Sequence, residues 1–155
     1  MTDSLDDFRL RRALRSDLPR LLELLAQGST DPSRERETAP GAYTQAFDTI
    51  DRDPNQVLLV GELEGEPVAM AQVTFIPGLT RGGAWRAQVE AVRVDERLRG
   101  RGLGTRLMQE AIALANKRGC RLVQLTSDKS RADAHRFYER LGFARSHDGF
   151  KFICA

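Results

Sequence analysis

At 155 residues the chain has room for one domain around a single core, and two full domains would be cramped. Its composition, 41% hydrophobic and 30% charged, is that of an ordinary globular domain, and a formal net charge of +2 is too small to make nucleic acid the expected partner. Two distant cysteines, Cys120 and Cys154, make neither a disulfide framework nor a zinc knuckle, and the longest apolar runs, Val57 to Val60 and Val68 to Ala71, are strand-sized and far short of a membrane span.

The start, MTDSLDDFRLRR, has no apolar signal region, so a cytoplasmic protein is expected, with residues 1–7 a tail before a single domain over 8–155. Phe8 to Arg12 alternates weakly and reads as a first strand. Ser16 offers an N-cap, Pro19 falls in the first turn, and Leu18, Leu21, Leu22 and Leu25 form one apolar stripe, predicting a helix that Gly28 ends. Residues 29–38 are a polar loop in which Asp31, Glu35 and Glu37 can attract a cationic amine, although a solvated charged loop is the plainer reading. A second helix covers roughly Gly41 to Asp51. Val57 to Val60 and Pro67 to Ile76 flank the tight turn Glu64-Gly65-Glu66 as an antiparallel hairpin. After a break at Pro77-Gly78 and a turn at Arg81-Gly82-Gly83, Trp85 to Val94 is a further strand. Leu103, Leu107, Ala111 and Leu114 keep the i, i+4 spacing of a helix that runs to Arg118 and stops at Gly119. Leu122 to Thr126 is strand again, with Cys120 buried at its start; Ala132 to Leu141 is a helix, and a closing hairpin from Phe143 turns at His147-Asp148-Gly149. This order predicts an α/β fold (α+β mixed sheet) of about seven strands, mostly antiparallel with one βαβ crossover, and about four helices on both faces.

The crossover carries the strongest chemical signal. Between Val94 and the helix at Leu103 lies Asp95-Glu96-Arg97-Leu98-Arg99-Gly100-Arg101-Gly102-Leu103-Gly104-Thr105. Glycines at alternate positions leave backbone N–H groups uncovered, and the helix start behind them adds unsatisfied donors and the positive end of its dipole. Arg97, Arg99 and Arg101 add charge suited to phosphate. A Rossmann fingerprint fails because Thr105 stands where a third glycine belongs, and no GK[ST] ending makes a Walker loop. The residues alone leave two readings open, a diphosphate site and a glycine-rich connection with exposed arginines.

The stretch from Val92 to Gly104 resembles the acetyl-CoA motif of the GCN5-related N-acetyltransferases (GNAT), whose loop reads Arg/Gln-x-x-Gly-x-Gly/Ala; Arg99, Gly102 and Gly104 fill its three specified positions. A second block, Ala134-His135-Arg136-Phe137-Tyr138-Glu139-Arg140-Leu141-Gly142-Phe143, is similar to the C-terminal motif of that family, where a helix carrying Phe-Tyr ends at Gly-Phe. The resemblance implies a splayed parallel pair of strands, with acetyl-CoA as co-substrate. Val92, Arg93 and Val94 would hold pantetheine through backbone, Arg99, Gly100, Arg101, Gly102, Leu103, Gly104 and Thr105 would hold the diphosphate, and Phe137 would join the cofactor site. Relatives carry a pantetheine-binding asparagine after the splayed strand; here Ser127 or Ser130 is the expected substitute.

The same resemblance implies direct attack by a primary amine within a ternary complex, so neither cysteine needs a catalytic role. Tyr138 matches the family position that serves as general acid, although the stripe Ala134, Phe137, Tyr138 and Leu141 also reads as packing. Glu90 is the candidate base. On a strand it shares a face with Val92 and Val94, and a carboxylate among apolar neighbours is costly unless paired or used. Pairing with Arg86 or Arg93, or substrate binding without proton transfer, is the alternative. The pattern around Glu90 resembles the glucosamine-phosphate acetyltransferase branch on this strand only. Asp133 reads as an N-cap or first-turn acid, and His135 and His147 lack the companions of a metal site, so no metal is expected. The implied partner is a small-molecule amine, with no membrane and no nucleic acid. Acetylation of a protein N-terminus or lysine, and a non-catalytic acyl-CoA-binding domain, are the competing readings. Dimerisation is common in that family, and no feature of the sequence bears on whether a homodimer forms.

Overall fold

Five strands lie side by side in chain order: β1 (Arg9–Arg12), β2 (Gln56–Leu63), β3 (Glu66–Ile76), β4 (Arg86–Val94) and β5 (Leu122–Gln124). They belong to the first of two compact units, which ends at Gln124; the second runs from Leu125 onward. The computed structural model describes residues 5–36 and 39–155, so the first four residues of the tail and Glu37 of the acidic loop lie outside the described residues. Neighbours β1 to β4 pair antiparallel, and β4 and β5 pair parallel, as a helical crossover between them requires. The β2–β3 hairpin closes through Glu64 and Gly65, both at positive φ, which is the turn whose twist matches that of the strands.

The two faces of this sheet differ. Val57, Leu59, Ala69, Ala71, Val73, Phe75, Ala87 and Val89 are all buried, and they face helix α4 (Leu103–Lys117), whose own Leu103, Leu107, Met108, Ala111 and Ala115 are buried. The opposite face alternates with them and is only partly covered. There α1 (Leu18–Gln27) and α2 (Ala42–Arg52) pack Leu21, Leu24 and Phe47 on Val60 and Met70. A single turn, α3 (Thr80–Gly83), holds Arg81 and Gly82 at positive φ, in keeping with the expected turn.

Two local expectations need correction. The cap of α1 is Asp17 rather than Ser16, after a short 3-10 turn over Arg15–Asp17. Its carboxylate reaches what a serine hydroxyl cannot reach together, accepting from the Leu14 amide at 2.7 Å and from the Arg11 guanidinium at 2.7 and 3.0 Å. Cys120, just before β5, is half-buried rather than buried, and its surroundings push the thiol pKa up by desolvation.

In the second unit, α5 (Ala132–Arg140) ends as its Leu-Gly-Phe sequence demands. Gly142 takes the left-handed conformation at φ 97, its amide donates to Glu139 O at 3.0 Å, and the Phe143 amide donates to Tyr138 O at 3.1 Å. This is the paired-bond helix stop that glycine permits. The closing hairpin expected after Phe143 is absent: residues 143–155 adopt no strand, and Phe150, Phe152 and Ile153 are exposed. A two-stranded ribbon is marginal without a third neighbour, so alternation in the sequence did not suffice. The sheet therefore has five strands, not about seven.

Candidate active site

The β4–β5 ladder covers only Arg86 to Gln88 against Leu122 to Gln124. Beyond Gln88, β4 continues for six residues with no strand on that edge among the described residues, leaving extended backbone open to an added chain. Within this free stretch Ala91 has φ +52, and the β3–β4 register slips between Met70 and Gln72. The bulge reverses the alternation. Gln72 pairs with Glu90, but Met70 pairs with Arg93 and Ala69 with Val94. Glu90 thus shares a face with Arg93, and the expectation that it shares one with Val94 fails because a bulge inserts one residue.

Arg93 folds back against Gly28 at the end of α1 and donates from Nη1 to Val92 O at 2.9 Å. Glu90 is exposed and forms no ion pair among the described residues, so the pairing with Arg86 or Arg93 is not made. Its neighbours are not apolar either. Across the α1-side face run Gln56, Thr74, Gln88 and Gln124 at one register level, with Gln72 and Glu90 at the next. Gln72 Nε2 and Thr74 Oγ1 donate to Gln56 Oε1 at 3.0 and 2.9 Å, and Gln124 Nε2 donates to Gln88 Oε1 at 2.7 Å. Sequence reasoning missed this polar belt. Its signal was present: β3 alternates Met70, Gln72 and Thr74 with buried Ala71, Val73 and Phe75.

Beyond Val94 the chain turns at Asp95, whose side chain is fully buried and which sequence reasoning also missed. The Asp95 carboxylate accepts from the Arg97 amide at 2.9 Å and Arg97 Nη2 at 2.7 Å, and it meets the Arg20 guanidinium from α1. These arginines, Arg97 first, hold the carboxyl well below the usual range despite its desolvation. Arg97 therefore braces the turn.

The loop itself keeps its predicted form. Gly100 and Gly102 have φ 78 and 83, and a Cβ added at either would meet nothing within 4 Å, so the space before the loop is open. Gly102 caps α4, Leu103 is anchored in the core, and the amides of Leu103, Gly104 and Thr105 head the helix, where no carbonyl of the preceding turn can reach them. Arg99 is exposed and Arg101 half-buried. A free β4 edge leading into this loop fits an extended arm ending in a diphosphate.

The second unit carries the remaining expected residues. Ser127 Oγ is buried and has no hydrogen-bond partner, whereas Ser130 donates its hydroxyl to Asp128 at 2.6 Å. Of the two expected substitutes for asparagine, Ser127 is thus the one with a vacant hydroxyl. Tyr138 is half-buried, its ring edge-on to Phe137 at 5.1 Å and to Phe143 at 5.9 Å. Asp133 sits in the first turn of α5 and pairs with Arg136; His135 Nε2 lies 2.8 Å from Asp128 O, and His147 Nδ1 lies 2.6 Å from Ser146 Oγ. Among the described residues no cluster of three His, Cys, Asp or Glu could hold a metal, and no helix is long and apolar enough to cross a membrane.

Comparison with known proteins gives three points of reference beyond the family itself. The model of the acetyltransferase (GNAT) family matches residues 18–143. Glucosamine 6-phosphate N-acetyltransferase of Trypanosoma brucei brucei is 33% identical over 157 residues, covering 96% of this chain and 95% of that protein. Aminoalkylphosphonate N-acetyltransferase of Salmonella typhimurium (strain LT2) is 31% identical over 109 residues, 70% of each. The crystal structure of a transcriptional regulator from Bacillus halodurans C-125 superimposes with a TM-score of 0.89 at 42% identity, covering 95% of this chain and 99% of that one.

Proposed function

Because this chain belongs to the acetyltransferase (GNAT) family of acyltransferases, we propose that it moves an acetyl group from acetyl-CoA to the primary amine of a small molecule, by direct attack in a ternary complex. The observation that carries this reading is the free edge of β4 running into the left-handed glycine loop at the start of α4. Bound there, acetyl-CoA supplies an acetyl thioester as the electrophile. The backbone of Val92, Arg93 and Val94 pairs with the pantetheine arm, and the amides of Arg101 to Thr105 with Arg99 hold the diphosphate. Glu90 takes one proton from the substrate ammonium, the neutral nitrogen forms the new C–N bond as the C–S bond breaks, Tyr138 Oη gives a proton to the departing sulfur, and the second proton shed by the acylated nitrogen restores the tyrosine hydroxyl. Names of the two relatives quoted above also support a small amine as acceptor.

Acetyl-CoA is expected to raise the melting temperature, since a ligand at about 100 times its Kd adds about 2.7 kcal/mol to the folded state. In Gly102→Val that shift disappears, because the branched side chain is strained at φ 83 and enters the open space before the loop. A wild-type protein that shows no shift near millimolar acetyl-CoA would overturn the cofactor assignment.

Replacing Tyr138 with phenylalanine keeps both aromatic contacts and removes only Oη. A thiol titrates near pH 8.5 and leaves tolerably without help, so the loss in kcat belongs at the low end of general-acid effects, on the order of 10²-fold. Acetyl-CoA affinity should not change. Thiol-release kinetics check both quantities, and an unaltered kcat would return Tyr138 to a packing role.

A further inference from the structure

Between α1, α2 and the polar face of the sheet lies a cavity of about 100 Å³, open to solvent, which the reaction as described so far does not use. Its walls include Leu22 and Leu25 from α1, Ile50 from α2 and Leu58 from β2, and it reaches Gln72 and the bulge residue Ala91. Among the described residues, none that lines it is charged. Interiors close most voids larger than a water molecule, and leaving leucine and isoleucine half-exposed forgoes burial that tighter packing would recover. A mostly apolar pocket with two polar side chains, Tyr43 and Gln72, in its lining has the make-up of a ligand site.

Its position relates it to the proposed chemistry. Gln72 is the cross-strand partner of Glu90, so their side chains rise from the same face with Cβ atoms about 5 Å apart by general strand geometry. Ala91, the next residue, closes the cavity on the free stretch of β4. A molecule whose ammonium meets Glu90 therefore has its substituent directed over Gln72 into an aliphatic space. A phosphate or phosphonate placed there would find no cation among the described lining residues, with the Glu90 carboxylate on the strand position paired with Gln72, and an anion left unpaired in apolar surroundings is strongly disfavoured. Arg86 and Arg93 share the face, but neither lines the cavity; Arg86 lies at the far register level beyond Gln88, and Arg93 is folded against Gly28.

Resting on the acetyltransferase reading, we propose that the acceptor is a primary amine on a compact apolar group, a branched aliphatic chain or a single aromatic ring, and not an amine that bears phosphate or phosphonate. The two relatives named for glucosamine 6-phosphate and aminoalkylphosphonate would then differ from this chain in acceptor chemistry. The cavity is somewhat smaller than an engineered apolar cavity of about 150 Å³ that takes up benzene, so groups of four to six carbons, an approximate range, mark the upper size.

The test is a thiol-release assay with ethyl-, propyl-, butyl-, pentyl- and phenethylamine beside glucosamine 6-phosphate and 2-aminoethylphosphonate. Each added methylene should raise kcat/KM by about fourfold until the cavity is full, and the two phosphorus compounds should turn over at least about tenfold more slowly than pentylamine. Ala46→Phe, which puts a ring at the exposed mouth of the cavity, should raise KM for pentylamine by about tenfold while the thermal shift with acetyl-CoA persists. With acetyl-CoA present, pentylamine alone should raise the melting temperature of the wild type further, and should not do so for Ala46→Phe. A flat dependence on chain length, faster turnover of either phosphorus compound, or an Ala46→Phe protein indistinguishable from wild type overturns the acceptor assignment. If acetyl-CoA shifts the melting temperature but none of these amines reacts or binds, the acceptor assignment fails and the cofactor reading stands; no shift with acetyl-CoA sinks both.

Discussion

Asp95→Ala should lower the melting temperature by on the order of 10 °C, the largest stability loss expected from a single side chain near the site. The carboxylate is fully buried between Arg97 and Arg20, and its backbone is tied to β3 by the Asp95 amide donating to Val68 O at 2.8 Å. Removing one partner of a buried pair costs about 3–5 kcal/mol, and about 2–4 °C is lost per kcal/mol at this chain size. The lower end applies, because Arg97 is largely exposed and can turn to water, while Arg20 keeps Glu23 at 2.6 Å and Glu66 at 3.0 Å. The pH dependence has a definite sign. Asp95 has a carboxyl pKa depressed below its unfolded value, so its contribution is complete above about pH 4 and fades as the pH falls further. Asp95→Asn keeps the shape and loses the charge; its melting temperature should fall less steeply than that of the wild type between pH 5 and pH 3. Equal slopes in calorimetry would show that the pair carries no such linkage. Because this turn sets where β4 delivers the chain to Arg99 and Gly100, acetyl-CoA affinity should weaken in the alanine variant as well.

Much of this site was legible because its determinants are local. Gly100 and Gly102 stand at left-handed positions that glycine fills without strain, and Leu103, Leu107 and Ala111 mark the buried stripe of the helix behind them. Gly142 and Phe143 announce a helix stop in the same way. What escaped the sequence depends on pairing. Ala91 carries no mark of a bulge, yet its φ of +52 reverses the faces of everything after it on β4 and separates Glu90 from Val94. Asp95 and Arg20 are 75 residues apart, and nothing at either position names the other. Glutamines 56, 72, 88 and 124 look like scattered surface residues until the register of four strands aligns three of them with Thr74 and sets Gln72 one level on. After Phe143 the difficulty is reversed, for the alternation is present and the neighbouring strand is not.

For Glu90→Gln the expected effect is on turnover, a fall in kcat/KM of on the order of 10³-fold near neutral pH, within the range of a lost general base. A primary alkyl ammonium titrates near pH 10, so at pH 7 roughly one molecule in 10³ or fewer is the neutral nucleophile. Glu90 is an exposed carboxylate on the face of the sheet that carries the polar belt, with Gln72 opposite it and Gln88 two residues before it. Those amides can orient an amine but cannot accept its proton at neutral pH, so the burden falls on Glu90. The substitution is nearly isosteric at an exposed position, and the melting temperature and the shift with acetyl-CoA should stay within about 1 °C of wild type. The decisive measurement is the pH–rate profile. The glutamine variant should climb about tenfold per pH unit toward pH 10, as solution chemistry alone deprotonates the amine, whereas the wild type, in which Glu90 takes that proton, should climb less steeply. The two curves should approach each other at the alkaline end. A variant that loses activity by the same factor at every pH would make Glu90 a ligand for the ammonium instead of its base, and a variant as fast as wild type would remove it from the site.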